Sequence, residues 1–270
     1  MTDRRVLVQG GGDVGSAVAH RLFSCGWRVL ISERSQSAHA RRGMAFTDAL
    51  FDGVALLAGV QARWLPDLAG VEACWQAGDA VPIVTLSENL LAPIRFEVII
   101  DATMRRDCMR PDLRAQTDLF IGLGPGYVPG QNCHVAVETQ WGSSMGAVLY
   151  DRPAAARSGG PYALAGVTRG RFAIAPCAGV WRTVATLGQD VQAGDPVGQL
   201  QEHVIRAPIA GKLRGLTRDG VEVREGQRVV EVDPRREPQI TGLGERPLAI
   251  ARGVESLLDV ASRSRSGERR

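Results

Sequence analysis

Hydrophobic and polar positions fall into two textures along this chain. Over the first 150 residues short apolar runs are separated by helical or loop segments. The runs predict strands at 6–9, 29–32, 54–57, 82–86, 98–101, 119–123 and 135–139, with helices at 14–24, 46–51 and 67–76. Strands alternating with covering segments are the pattern of a parallel sheet flanked by helices. The stretch 154–165, with its Ser158-Gly159-Gly160-Pro161 cluster, has turn composition and marks a boundary. Beyond it, many short β runs punctuated by glycine turns predict a small all-β unit. Leu248, Ala249, Val254, Leu257, Leu258 and Ala261 recur at helical spacing near the end, and a disordered tail is expected over 263–270. The predicted organisation is 1–155, 166–236, and a helix at 245–262 that packs back on one of the two.

The β unit contains an internal echo. Pro176-Cys177-Ala178-Gly179-Val180 is followed by a Val191-Gln192-Ala193-Gly194-Asp195-Pro196-Val197 turn, and Ala207-Pro208-Ile209-Ala210-Gly211 by Val223-Arg224-Glu225-Gly226-Gln227-Arg228-Val229. Two such copies bury their apolar faces only against each other. The repeat resembles the flattened barrel of biotinyl/lipoyl modules. Those carry their modified lysine at a hairpin tip between the halves, where this chain reads Leu200-Gln201-Glu202-His203-Val204-Ile205; its only lysine, Lys212, follows Gly211 in a strand position. No covalent biotin or lipoate is therefore expected. The expected fold class is α/β: a Rossmann-like parallel sheet, then a biotinyl/lipoyl-like barrel-sandwich, then the C-terminal helix.

The strand at 6–9 runs straight into Gly10-Gly11-Gly12-Asp13-Val14-Gly15 and then into a helix. That order is what a loop around a pyrophosphate requires. Gly10 permits the tight turn, Gly12 lets backbone approach phosphate, and Gly15 lets helix and strand pack closely. A phosphate then meets N–H groups at the positive end of the helix. The second strand ends at Glu33, where a ribose-binding carboxylate is expected, while Arg34 beside it suits a 2′-phosphate. Gly10, Gly11, Gly12, Asp13, Val14, Gly15, Glu33 and Arg34 are thus the candidate cofactor residues, with NAD or NADP as candidate ligands. Asp13 reads more readily as an N-cap of the helix, which would set a negative charge near a bound pyrophosphate.

Composition narrows the function class. The chain has 270 residues, is 44% hydrophobic and carries a net charge of +3, with arginines scattered rather than set in a stripe. No nucleic-acid partner is expected. No apolar run reaches the roughly 18 residues that span a bilayer, so a cytoplasmic protein without a membrane partner is expected. Cys25, Cys74, Cys108, Cys133 and Cys177 form no C-x-x-C pair, and the four histidines are scattered, so neither a disulfide framework nor a metal site is expected.

Further residues invite chemistry. Arg41 and Arg42 form either a solvated pair or a clamp on an anionic substrate. A second glycine turn, Gly122-Leu123-Gly124-Pro125-Gly126, leaves the carboxyl end of a strand, where Gly122, Gly124 and Gly126 would wall a substrate site or simply form a turn. Asp101 ends a neighbouring strand as a candidate catalytic acid or a turn cap. Cys133, next to His134, is a candidate nucleophile, although adjacent strand residues point to opposite faces.

Taken in order, the motifs form a longer string. It comprises G-G-G-D-V-G-S-A-V-A-H-R-L-F from Gly10, the Arg41-Arg42 pair, the run 46–53, I-D-A-T-M from Ile100, G-L-G-P-G-Y from Gly122, Val137-Glu138-Thr139, A-P-I-A-G-K-L-R-G-L from Ala207, V-D-P-R from Val232, and P-L-A-I-A-R-G-V from Pro247. This string resembles the YqeB-type accessory proteins of selenium-dependent molybdenum hydroxylase systems. The resemblance implies an accessory or maturation role toward a molybdenum hydroxylase partner, with molybdopterin dinucleotide as a second candidate for the glycine loop. One departure stands out: after Thr139 the family usually has x-R-G-H-x-L-G-R, and this chain places Trp141, Ser143 and Ala147 at its Arg, His and last Arg. Two alternatives remain open: a nicotinamide-dependent oxidoreductase on a small substrate and a non-catalytic docking scaffold. A homo-oligomer is compatible with all three.

Overall fold

The computed structural model describes residues 4–85, 94–105, 110–156 and 160–267, with side chains to residue 260. Leu86, Cys108, Ser158-Gly159 and the last three residues of the expected tail lie outside the described residues.

The N-terminal part is built on β1 (Arg5–Gln9), β2 (Arg28–Ser32), β3 (Val54–Leu57), β4 (Val60–Leu65), β5 (Ala80–Val84), β6 (Val98–Asp101), β7 (Leu119–Leu123), β8 (Val135–Val137) and β9 (Val148–Leu149). These form one nine-stranded sheet in the order β3-β4-β5-β2-β1-β6-β7-β8-β9. Val6, Leu7 and Val8, like Val29, Leu30 and Ile31, are buried on both faces, the near-continuous apolar run of a covered central strand. Helices α1 (Asp13–Ser24), α2 (Ala49–Asp52) and α3 (Val71–Ala77) precede a long α4 (Glu245–Gly267). Ile250, Ala251, Val254 and Leu258 of α4 share a core with Val14, Ala17, Val18 and Leu22 of α1. Arg21 and Glu255 join the same two helices by an ion pair of 2.6 Å. The helix continues to Gly267, through residues expected as a tail.

The second part contains β10 (Phe172–Ile174), β11 (Gly179–Arg182), β12 (Asp190–Val191), β13 (Pro196–Leu200), β14 (His203–Arg206), β15 (Gly211–Leu216), β16 (Glu222–Val223) and β17 (Arg228–Asp233). They make two four-stranded sheets, β10-β17-β15-β12 and β14-β13-β11-β16, with antiparallel pairing throughout. Trp181, Leu200, Leu213 and Val230 meet in the core between them. The Trp181 indole lies against Gly198, where a Cβ would come within 2.3 Å, and its Nε1 donates to Thr217 O at 2.9 Å.

This architecture corrects the expected Rossmann-like domain followed by a barrel-sandwich. The large sheet is mixed: β3 pairs antiparallel with β4, and β9 antiparallel with β8. Strand β4 was missed altogether. Ala58 and Gly59, at φ 47° and 86°, supply the two left-handed residues of a tight hairpin, and a tight hairpin forces antiparallel pairing. Between β6 and β7 the described residues hold only a 3-10 turn, Arg114–Gln116, where a doubly wound sheet carries a helix. The β region in turn is two four-stranded sheets over one core.

The segment between β2 and α2 ties the two parts together. Ala40 O accepts from Leu216 N at 2.7 Å, Gly43 O from Gly242 N at 2.9 Å, and Arg42 Nε donates to Leu216 O at 2.9 Å. Arg218 reaches back to Asp52. No helix formed by the described residues is long and apolar enough to cross a membrane.

Candidate functional site

A cleft of about 2030 Å³ opens at the start of α1, between the 33–44 segment, the 139–141 turn and the β region. Arginines outnumber carboxylates along its wall, so the cleft has an electropositive lining. Gly10, Gly12, Asp13, Val14, Glu33, Arg34 and Arg41 all line it, whereas Gly11, Gly15, Arg42, Gly122, Gly124, Gly126, Asp101 and Cys133 do not.

The first glycine turn divides its work. Gly10, at φ 95°, ends β1, and a Cβ there would meet the Thr103 backbone at 2.8 Å. A Cβ on Gly15 would sit 1.8 Å from Gly10 O, so that glycine exists for the close crossing of helix and strand. Gly12 has an ordinary φ of −65° as the N-cap residue, and a Cβ there would meet only the His39 ring, at 3.3 Å. The Gly11 amide is already taken: it donates to Glu33 Oε2 at 2.7 Å, while Arg34 N donates to Glu33 Oε1 at 2.8 Å. Glu33 therefore caps the turn, retaining only its spare lone pairs for a ribose. Val14 N is bound by Asp13 Oδ1 at 3.0 Å. The amides of Gly12 and Asp13 have no hydrogen-bond partner among the described residues.

Asp13 does not face the cleft as a bare negative charge. Its Oδ2 lies 3.1 Å from Arg41 Nη1, and Arg41 Nε reaches Glu231 Oε2 at 2.6 Å. Glu231, on β17, is buried and also meets Arg171 at 3.0 Å and Arg214 at 3.3 Å. Burial pushes both carboxyls upward, but the Arg41 guanidinium beside them holds each below its ordinary value. Burial and the neighbouring Arg41 lower the Arg214 guanidinium in turn. Arg41 is thus a strut between α1 and the β region rather than an open anion clamp. Arg42 is likewise occupied, by Leu216 O and by Asp48 at 3.2 Å.

His39 was passed over in the sequence, where nothing in Ser37-Ala38-His39-Ala40 distinguishes it. Its ring lies over Gly12, and its buried Nε2 has no hydrogen-bond partner among the described residues. Burial holds the imidazole below its ordinary value against the pull of Asp13, which favours the neutral ring. Two aromatic rings complete the rim: Trp141 and Tyr162 stack with centroids 4.2 Å apart and planes at 20°.

The second glycine turn has another purpose. A Cβ on Gly122 would fall 2.0 Å from the Tyr127 ring, and Gly124 and Gly126, at φ 84° and 89°, pack against Thr139 and Arg110. The turn folds Tyr127 back beneath β7, where its hydroxyl donates a short hydrogen bond to Asp101 Oδ2. Burial, then the Asp101 charge, raises the phenol. Asp101 Oδ1 accepts from Thr103 N at 2.8 Å and Thr103 Oγ1 at 2.5 Å, so the carboxylate is consumed as a turn cap. Only Pro125 of this turn touches the cleft. Cys133 is fully buried beside Phe120 and Tyr127, and burial pushes its thiol up to about 11, which keeps it protonated and out of reach of a substrate. The neighbouring His134 Nδ1 accepts from Phe120 N at 2.9 Å, so the two do not cooperate. Among the described residues no group of three or more His, Cys, Asp or Glu is arranged to hold a metal ion.

No family model matches the chain. The chain is similar to solved structures of an aspartoacylase family protein from Mesorhizobium loti (14% identity, TM-score 0.27, 86% of each chain covered) and of a succinylglutamate desuccinylase/aspartoacylase from Rhodobacter sphaeroides (13%, 0.26, 85% of each). Likeness at that level carries no structural or chemical argument. By sequence, 252 residues, 92% of the chain, are 34% identical to the Escherichia coli (strain K12) protein named "Uncharacterized protein YqeB". They cover 46% of that protein, so the chain spans about half the length of the curated relative it matches. Across the matched span the chain is similar to that protein.

Proposed function

We propose that the chain binds a dinucleotide, either NAD(P) or molybdopterin dinucleotide, at the start of α1 and serves as an accessory factor in the maturation of a molybdenum hydroxylase. The observation that supports the ligand class is the pair of unpartnered Gly12 and Asp13 amides opening into an arginine-lined cleft. Two free N–H groups at the positive end of a 12-residue helix favour a phosphate. The neutralisation of Asp13 by Arg41 removes the charge that would otherwise repel it. The residues fit the phosphate end of a dinucleotide through those amides, with His39 beside them as a further donor or acceptor. The accessory role rests on the ordered motif string that resembles YqeB-type proteins.

The oxidoreductase alternative draws no such support. Asp101 is spent as a cap, and Lys212 pairs with Asp190 at 2.7 Å in the β region. Equilibrium titration of purified protein with NAD(H), NADP(H) and molybdopterin dinucleotide tests the ligand class, and retention of none of them removes it. Affinity capture from the native host tests the role: a molybdenum hydroxylase is expected among the captured proteins, and its absence counts against the accessory reading.

A further inference from the structure

The Trp141–Tyr162 pair belongs to no part of the phosphate end of the cleft, yet it is built as firmly. Glu138, buried at the end of β8, uses Oε1 to accept from Thr139 N at 2.7 Å and Gln140 N at 2.8 Å. Its other oxygen accepts from Ala155 N at 2.8 Å, tying the turn that presents Trp141 to the segment that leads toward Tyr162. Tyr162 O in turn accepts from Arg171 Nη1 at 2.8 Å, and Arg171 is anchored to the buried Glu231. The platform therefore rests on the same charge cluster that neutralises Asp13. Arg246 links the two ends of the cleft, because its Nε donates to Thr139 O at 2.7 Å while its charge acts on Asp13.

Tyr162 is 52% exposed although its ring is stacked on an indole, and both rings line the cleft. An exposed aromatic face beside an electropositive groove is the arrangement on which a base stacks while its phosphates meet the cationic wall. We propose that the Trp141–Tyr162 pair is the base-stacking subsite of this cleft, taking the nucleobase of a ligand whose pyrophosphate meets the Gly12 and Asp13 amides. This rests on the dinucleotide reading and extends it, naming the residues that distinguish a nucleotide from a bare phosphate anion.

The test compares inorganic pyrophosphate with ADP and CDP by isothermal titration and by tryptophan fluorescence on the full chain. ADP and CDP are expected to bind at least about tenfold more tightly than pyrophosphate, the order of one stacked base. They should also quench emission, which pyrophosphate should not. Trp141→Leu and Tyr162→Leu should abolish the nucleotide advantage while leaving pyrophosphate affinity unchanged, which also reports that the variants are folded. Trp141→Phe should retain most of the advantage but lose the quench. Equal affinity for pyrophosphate and both nucleotides, or variants that keep the full advantage, would overturn the stacking subsite and leave the phosphate site standing. Absence of binding by all three probes would overturn the dinucleotide reading and the subsite with it.

Discussion

The two glycine turns of this protein look alike in sequence and do opposite things. Both follow a strand of the central sheet and both read as ligand walls. At the first, Gly12 keeps an ordinary backbone angle, its amide has no partner among the described residues, and a side chain there would meet only His39. At the second, Gly122 is pressed against Tyr127, and the turn's flanking carboxylate, Asp101, is consumed inside the protein. A glycine can be required by a ligand or by the protein's own packing. What an added Cβ would touch separates the two cases. The turns also differ in what holds them: the first is braced by ion pairs reaching from the β region, the second by an aromatic ring and a buried hydrogen bond.

The sharpest way to break the comparison is to remove the brace of the first turn. Glu231→Gln leaves Arg171, Arg214 and Arg41 without their shared carboxylate, and should cost roughly 3–5 kcal/mol of unfolding free energy in urea titrations. Gly122→Ala and Gly15→Ala force a Cβ into Tyr127 and into Gly10 O, and each should cost on the order of 3 kcal/mol by the same measurement. Tyr127→Phe strands one oxygen of buried Asp101; a loss of about 2 kcal/mol is expected, with ligand affinity intact.

The pH dependence sharpens the contrast further. Glu231 and Asp13 sit below their ordinary values of 4.5 and 3.8 in the folded protein, so their contribution is complete above those values and is lost as pH falls through the folded ones. Unfolding free energy should therefore decline below about pH 4.5. The decline should be shallower in Glu231→Gln and unchanged in Tyr127→Phe. The smallest stability effect belongs to Gly12→Ala, expected within about 1 kcal/mol because only the His39 ring must shift. The same substitution should weaken pyrophosphate binding about tenfold, and undiminished binding would place both turns in the same structural class.

Much of the local structure was legible in the chain. The helix expected over 14–24 forms at Asp13–Ser24, and strands form at Val54–Leu57, Val98–Asp101 and Leu119–Leu123 with the bounds their apolar runs gave. Those segments announce themselves because a run of apolar residues and its period are read from neighbours in sequence. β4 escaped because Val60–Leu65 mixes Gln61 and Arg63 into a half-exposed strand, and its hairpin turn lacks the usual Asn-Gly signal. With β4, and with the two-residue β9 that pairs antiparallel with β8, went the mixed character of the sheet.

The site was legible only in part. Gly10, Gly12 and Glu33 line the cleft, and the Glu33 carboxylate is engaged by Gly11 N. His39, Tyr162, Arg171 and Glu231 carry no local signature, since each gains its meaning from a partner about twenty or more positions away: Gly12 for His39, Trp141 for Tyr162, and Arg171 and Glu231 for each other. Sequence by itself determined where the chain turns, extends and coils, because dihedral preference and periodicity act over a few residues. Tertiary structure alone decided which glycines face the cleft, which carboxylates are spent within the fold and which arginines are struts, because charge neutralisation and close contact depend on distance in space.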